Sequence, residues 1–128
     1  MIPPDQVEDK AALFIDFEDR LTLFDTLILC RFYRDMYLWD ELATIIGTVT
    51  GSSEDRDSLT ARAATVSNLV RHFNIREGLT MEDDSLPQWF YQHALEKGQI
   101  TEEDLNTMRA DYYRLRNWDE RGIPPEFP

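Results

Sequence analysis

Leu59, Ala63, Val66, Val70 and Phe73 step along the chain by fours and threes, the spacing that lines side chains up on one face of an α-helix. That rhythm, with no convincing period-two alternation anywhere, is what most limits the fold. Similar spacing joins Leu21, Phe24, Leu27, Ile28 and Phe32 and predicts a helix from about Asp16 to Asp35. Leu38, Leu42, Ile45, Ile46 and Val49 mark the face of another, which Gly51 ends. A polar, acidic loop over 51–57 then leads into the Leu59 helix, with Asp57 or Ser58 as its N-cap.

Residues 74–85 read as an extended or irregular connection broken at Gly78. Ser85 and Pro87 open a short helix carrying Trp89, Phe90 and Ala94, and Gly98 stops it. Thr101 caps the last helix, whose first turn holds Glu102, Glu103 and Asp104, where the helix dipole favours acids. Leu105, Met108, Tyr112 and Leu115 lie along it, and the proline-rich stretch from Trp118 to Pro128 is expected to be extended. The prediction is an all-α fold: a single irregular bundle of about five helices with extended N- and C-terminal tails. No repeat, sustained heptad register or linker divides the chain, so residues 1–128 are expected to form one helical domain.

With 25 acidic against 13 basic residues the formal charge is −12, a field that repels a phosphate backbone and makes nucleic acid a poor partner. No run approaches the roughly 20 apolar residues of a membrane span. Met1-Ile2-Pro3-Pro4 has neither the basic nor the apolar region of a signal peptide, which points to the cytoplasm.

Cys30 is the only cysteine. It excludes an internal disulfide and a self-contained thiolate site, since zinc and iron–sulfur sites need about four ligands. His72 and His93 lie far apart and read as ordinary helix residues. Glu82, Asp83 and Asp84 lack the spacing and central glycine of a calcium loop and are expected to decorate the start of the helix after Ser85. Aromatics are dense around Phe32, Tyr33, Tyr37 and Trp39, around Trp89, Phe90 and Tyr91, and around Tyr112, Tyr113 and Trp118. Core packing accounts for many of them, and a docking face accounts for any excess.

In Asp25-Thr26-Leu27-Ile28-Leu29-Cys30, a cysteine in an apolar helix is ordinarily a small hydrophobe, whereas an aspartate there needs a donor or a cation. Five steps of about 100° put Asp25 and Cys30 roughly 140° apart on an unbroken helix. For both to serve one site, the backbone must break between them.

Three stretches, in order, resemble the C-terminal region of tungsten-containing aldehyde:ferredoxin oxidoreductases. They are Phe17 to Phe32, Phe73 to Thr80 with Asp83-Asp84-Ser85-Leu86-Pro87 after it, and Tyr112 to Asp119 followed by Gly122 and Pro124. The resemblance implies a tungsten or molybdenum bis-pterin centre beside a [4Fe–4S] cluster in the full-length enzyme. Three cluster cysteines stand earlier in such enzymes, in a Cys-x-x-Cys-x-x-x-Cys motif. The fourth belongs to an Asp-x-x-Gly-Leu-Cys motif whose aspartate contacts a pterin. Matched residue by residue, this assigns Cys30 to the cluster, Asp25 to the pterin, and Leu29 to the motif's leucine. A thiolate suits the iron, and a carboxylate can accept from the pterin's amino and ring N–H groups. Two positions depart from the pattern: Ile28 stands at the motif's glycine, and Asn117 stands where many relatives have glycine.

The pterin-binding domain, the other cysteines and the active-site acid and histidine are not among these residues. The chain is therefore expected to be the C-terminal fragment of a larger oxidoreductase, with no catalytic residue of its own and no cofactor when isolated. Its expected partners are the remaining domains and, through them, a ferredoxin-like electron acceptor. The alternative is a stand-alone helical protein-interaction module in which Cys30 is core.

Overall fold

A computed structural model of the chain describes residues 3, 6–92 and 101–126. The helices are α1 (Lys10–Thr26), α2 (Trp39–Thr50), α3 (Arg56–Arg76), α4 (Gln88–Gln92) and α5 (Glu102–Leu115), with 3₁₀ turns at Arg31–Tyr33 and Met81–Asp84. Among the described residues there is no strand. The all-α expectation holds. His93, Ala94 and the stop at Gly98 lie outside the described residues.

Contacts divide the chain into two compact units, Asp16–Val70 in one and Met1–Ile15 with Arg71–Pro128 in the other. In the first, Leu23, Phe24, Trp39, Leu42, Leu59 and Ala63 form a buried cluster, with Leu29, Tyr37, Ala43 and Ile46 packed against it. The α2 face is thus rotated from the predicted one: Trp39 and Leu42 are buried while Val49 is exposed. The indole N–H of Trp39 donates to Asp16 Oδ1 at 2.8 Å, and Arg56 Nη2 donates to the same oxygen at 3.0 Å. An indole buries well only when its N–H finds such an acceptor.

The second unit is built on rings: Phe14 meets Tyr112 edge-on at 5.8 Å, and Trp118 packs against Tyr112 at 5.5 Å and Tyr113 at 5.9 Å. Its C-terminal tail opens with a tight turn rather than running straight out. Asp119 Oδ1 accepts from the amides of Arg121 and Ile123, and Gly122, at φ 72°, donates back to the Asp119 carbonyl.

Helix starts follow capping chemistry. Thr101 Oγ1 accepts from the Asp104 amide at 3.1 Å while Asp104 accepts from the Thr101 amide at 2.9 Å, the reciprocal box expected of Thr101. The Thr101 amide, with the Thr101 hydroxyl on the same oxygen, holds the Asp104 carboxyl below its ordinary pKa. The α3 helix begins earlier than its predicted cap. Asp55 Oδ1 accepts from Ser58 N and Ser58 Oγ accepts from Asp55 N, so Asp55 is the N-cap and Asp57 and Ser58 lie inside the first turn. The acidic run is also placed differently from expectation. Asp83 accepts from the Thr80 amide, and Asp84 pairs with Arg71 instead of decorating α4.

Three helix ends share one geometry. At α3, Gly78 N donates to Ile75 O and Leu79 N to Asn74 O, with Gly78 at φ 105°. At α5, Asn117 N donates to Arg114 O and Trp118 N to Tyr113 O, with Asn117 at φ 56°. This paired capping with a left-handed residue just past the helix is the Schellman motif. The predicted irregular stretch over 74–85 is therefore helix to Arg76, a left-handed corner, and a 3₁₀ turn. The α1 helix ends in the same way, well short of the predicted Asp35.

Candidate functional site

The end of α1 is a corner at Ile28. Ile28 N donates to Asp25 O at 3.1 Å and Leu29 N to Phe24 O at 2.7 Å, with Ile28 at φ 57°. A β-branched residue in the left-handed region is strained by its Cβ, which is why glycine normally takes this place. Two things hold the corner against that strain. The paired hydrogen bonds close the helix, and Leu29 packs against the cluster that contains Phe24. The Ile28 side chain takes no part, being 93% exposed.

The backbone thus breaks between Asp25 and Cys30, as a shared site demands. Cys30 follows in an extended conformation (φ −70°, ψ 121°) with its side chain exposed, and its carbonyl accepts from Tyr33 N at 3.0 Å to start the 3₁₀ turn. That turn is anchored by Arg20, itself buried, whose Nη1 donates to Arg34 O at 3.0 Å. Of the sequence-predicted residues, Asp25 and Cys30 are therefore exposed on one short corner, and Leu29 is half-buried beneath it.

Asp25 has a partner that sequence reasoning missed. Arg31 Nε donates to Asp25 Oδ1 at 2.9 Å, and Arg31 Nη2 donates to Oδ2, a bidentate pair. This pairing holds the Asp25 carboxyl below its usual range and the guanidinium above its own. The only sequence signal was an arginine shortly after an acid, which has no fixed geometry until the corner forms. The same stretch of chain carries exposed apolar side chains. Ile28, Phe32, Met36 and Leu38 are all exposed, Phe32 at 89%.

Among the described residues no group of three or more His, Cys, Asp or Glu side chains converges to hold a metal. The donor set fits one thiolate supplied to iron held mainly by other ligands, and one carboxylate offered to N–H donors.

The second polar cluster, in the other unit, has a different character. Arg71 donates through Nη1 and Nη2 to the two oxygens of Asp84, at 2.9 and 2.5 Å, and through Nε to Gly122 O at 2.9 Å. The Tyr113 hydroxyl also donates to Asp84, and the guanidinium lies over the Trp118 ring at 5.2 Å. Burial, then the bond to Asp84, pushes the Tyr113 hydroxyl up to about 12. Burial opposes the charge on Asp84, but the bonds from Arg71 and Tyr113 outweigh it and lower its pKa. Every polar atom described here bonds inward, so this cluster is a clasp on the tail.

A family model for aldehyde ferredoxin oxidoreductase, domains 2 and 3, matches residues 1–127. The chain belongs to that family. The tungsten-containing aldehyde ferredoxin oxidoreductase of Pyrococcus furiosus is 30% identical over 130 residues, covering 98% of this chain and 22% of the relative. That of Thermococcus kodakarensis is 31% identical over 135 residues, covering 98% and 22%. That of Pyrococcus horikoshii is 28% identical, covering 98% and 21%. The chain thus spans about a fifth of the length of these relatives. No solved structure matches it. Within the aldehyde ferredoxin oxidoreductase family, the match is to the model of domains 2 and 3, and no helix of the described residues is long and apolar enough to cross a membrane.

Proposed function

We propose that residues 1–128 act as the C-terminal, cofactor-capping piece of an aldehyde ferredoxin oxidoreductase-like enzyme. Cys30 donates one ligand to a [4Fe–4S] cluster, and Asp25 contacts a pterin of a tungsten or molybdenum centre. The observation that carries the reading is the left-handed break at Ile28, which leaves an extended, exposed Cys30 just beyond an ionised Asp25. When bound, the metal–pterin centre and cluster would supply the two-electron oxidation of an aldehyde, with water as the oxygen source, to a carboxylic acid, the electrons leaving singly to a ferredoxin-like acceptor.

This chain's residues bind, hold and shield. The Cys30 thiolate completes a coordination sphere whose other ligands come from the rest of the enzyme. Asp25 accepts hydrogen bonds from N–H groups, and Arg31 further favours its charged form. Leu29 anchors the corner to the core. The exposed apolar side chains of Ile28, Phe32 and Met36 cover the cofactors and exclude water, which strengthens every polar contact beneath them. The alternative in which Cys30 is core is disfavoured by its exposed side chain.

The test is reconstitution of the chain with the missing remainder of the enzyme. Iron and sulfide content and the EPR signal of the reduced cluster should match an intact enzyme, and Cys30→Ser should lower the iron content or change the signal. Wild-type iron content with an unaltered signal in that variant would sink the ligand assignment.

A further inference from the structure

Asp25 sits in the last turn of α1, at the negative end of the helix dipole, where a carboxylate is disfavoured. Nothing in the helix needs an acid there. Yet it is met by both arms of an arginine six residues on, across a left-handed corner. Asp25 and Arg31 are both well exposed, and exposed pairs add little to stability. What a bidentate pair does supply is orientation, because two parallel bonds fix the plane of the carboxylate where one would let it turn.

The Arg31 backbone is itself held. Its carbonyl accepts from the Arg34 amide and from Arg34 Nη1, each at 3.2 Å, so the guanidinium projects from a closed 3₁₀ turn. Its side-chain bond back to Asp25 closes a ring of chain that contains Cys30. A carboxylate offers about four lone-pair sites. Arg31 uses one on each oxygen, so the capacity for further N–H donors remains.

Resting on the reading of this corner as a cofactor cap, we infer that Arg31 is a positioning residue: it fixes the plane of the Asp25 carboxylate for the pterin. It touches neither cofactor itself and acts through Asp25. Lysine cannot replace it, since a point charge makes no parallel pair of bonds.

The test uses the full enzyme carrying Arg31→Gln, Arg31→Lys, Asp25→Asn, the double variant Asp25→Asn with Arg31→Gln, and Cys30→Ser. It measures the rate of pterin loss, iron content and melting temperature. Arg31→Gln should speed pterin loss by about tenfold, the lower end of what loss of a ligand-orienting group does. Iron content and melting temperature should stay near wild type. Arg31→Lys should not rescue, and the double variant should lose pterin no faster than Asp25→Asn alone, because the two groups act as one. Wild-type pterin retention in Arg31→Gln, full rescue by lysine, or additive loss in the double variant would overturn the assignment of Arg31 alone. Wild-type pterin in Asp25→Asn together with wild-type iron in Cys30→Ser would instead remove the cofactor-cap reading beneath it.

Discussion

At the end of α1, Ile28 takes the left-handed position, Asp25 and Arg31 pair in solvent, and Cys30 is exposed. At the end of α5, Asn117 takes the same position, while the neighbouring Tyr113 is buried with Arg71 and hydrogen-bonded to Asp84. Both ends use the same pair of backbone bonds, and both are fastened by an apolar contact past the helix, through Leu29 in one and Trp118 in the other. They differ in where the polar groups point. The α5 end turns its charges inward on one another, which fixes the tail. The α1 end leaves its acid, thiol and apolar side chains outward over a strained residue. Polar and apolar groups displayed together at a strained corner are poor for stability and good for docking.

Arg71→Ala should expose the difference most sharply. It leaves Asp84 with Tyr113 but without its paired cation and frees the Gly122 carbonyl, so denaturant unfolding should show a loss of about 3 kcal/mol, the lower end for breaking one side of a buried pair because Asp84 is only part-buried. The same clasp carries a pH signature. The Tyr113 pKa is raised on folding, so its contribution is complete below the ordinary tyrosine value of about 10 and is lost as pH rises through about 12. Melting temperature against pH should fall over that window, and Tyr113→Phe should remove the fall.

Gly122→Ala comes next. A Cβ there would lie 2.6 Å from Tyr113 Cζ and 2.7 Å from Arg71 Nη2, at a backbone φ of 72°, so overpacking and strain together should destabilise by about 2 kcal/mol. At the other corner the sign reverses. Ile28→Gly relieves a left-handed β-branched residue whose side chain packs on nothing buried, and should raise stability by about 1 kcal/mol. Gly78→Ala, at the matching position of α3, should lower it by a similar amount. If Ile28→Gly destabilises instead, the Ile28 side chain has a packing role and the comparison fails. The smallest effect is expected from Arg31→Gln, whose melting temperature in the isolated chain should match wild type, because both partners are solvated.

Much of the fold was legible in the chain itself. The Thr101 cap, the Gly51 stop and the helical period of Leu59 and Ala63 were readable because each is a local rule. The end of α1 was not. Ile28 extends the apolar rhythm and carries no stop signal, so the period predicts helix through Asp35. Asp55 was passed over for Asp57 and Ser58 because several adjacent residues are all good caps. Arg31 and Arg71 were missed for a common reason, that an arginine's partner is chosen by a corner or a contact the sequence does not display.

By itself the sequence determined the helical class, the acidic surface, and a lone cysteine in a motif-like string. Those follow from side-chain period, charge and residue type, which are properties of single residues and near neighbours. Only the tertiary structure decided that the string is a corner. The left-handed turn at Ile28 is disfavoured locally and exists because Leu29 packs against the core and the helix end must satisfy its carbonyls. That one decision leaves Asp25 and Cys30 exposed on one short corner and brings Arg31 back to the acid.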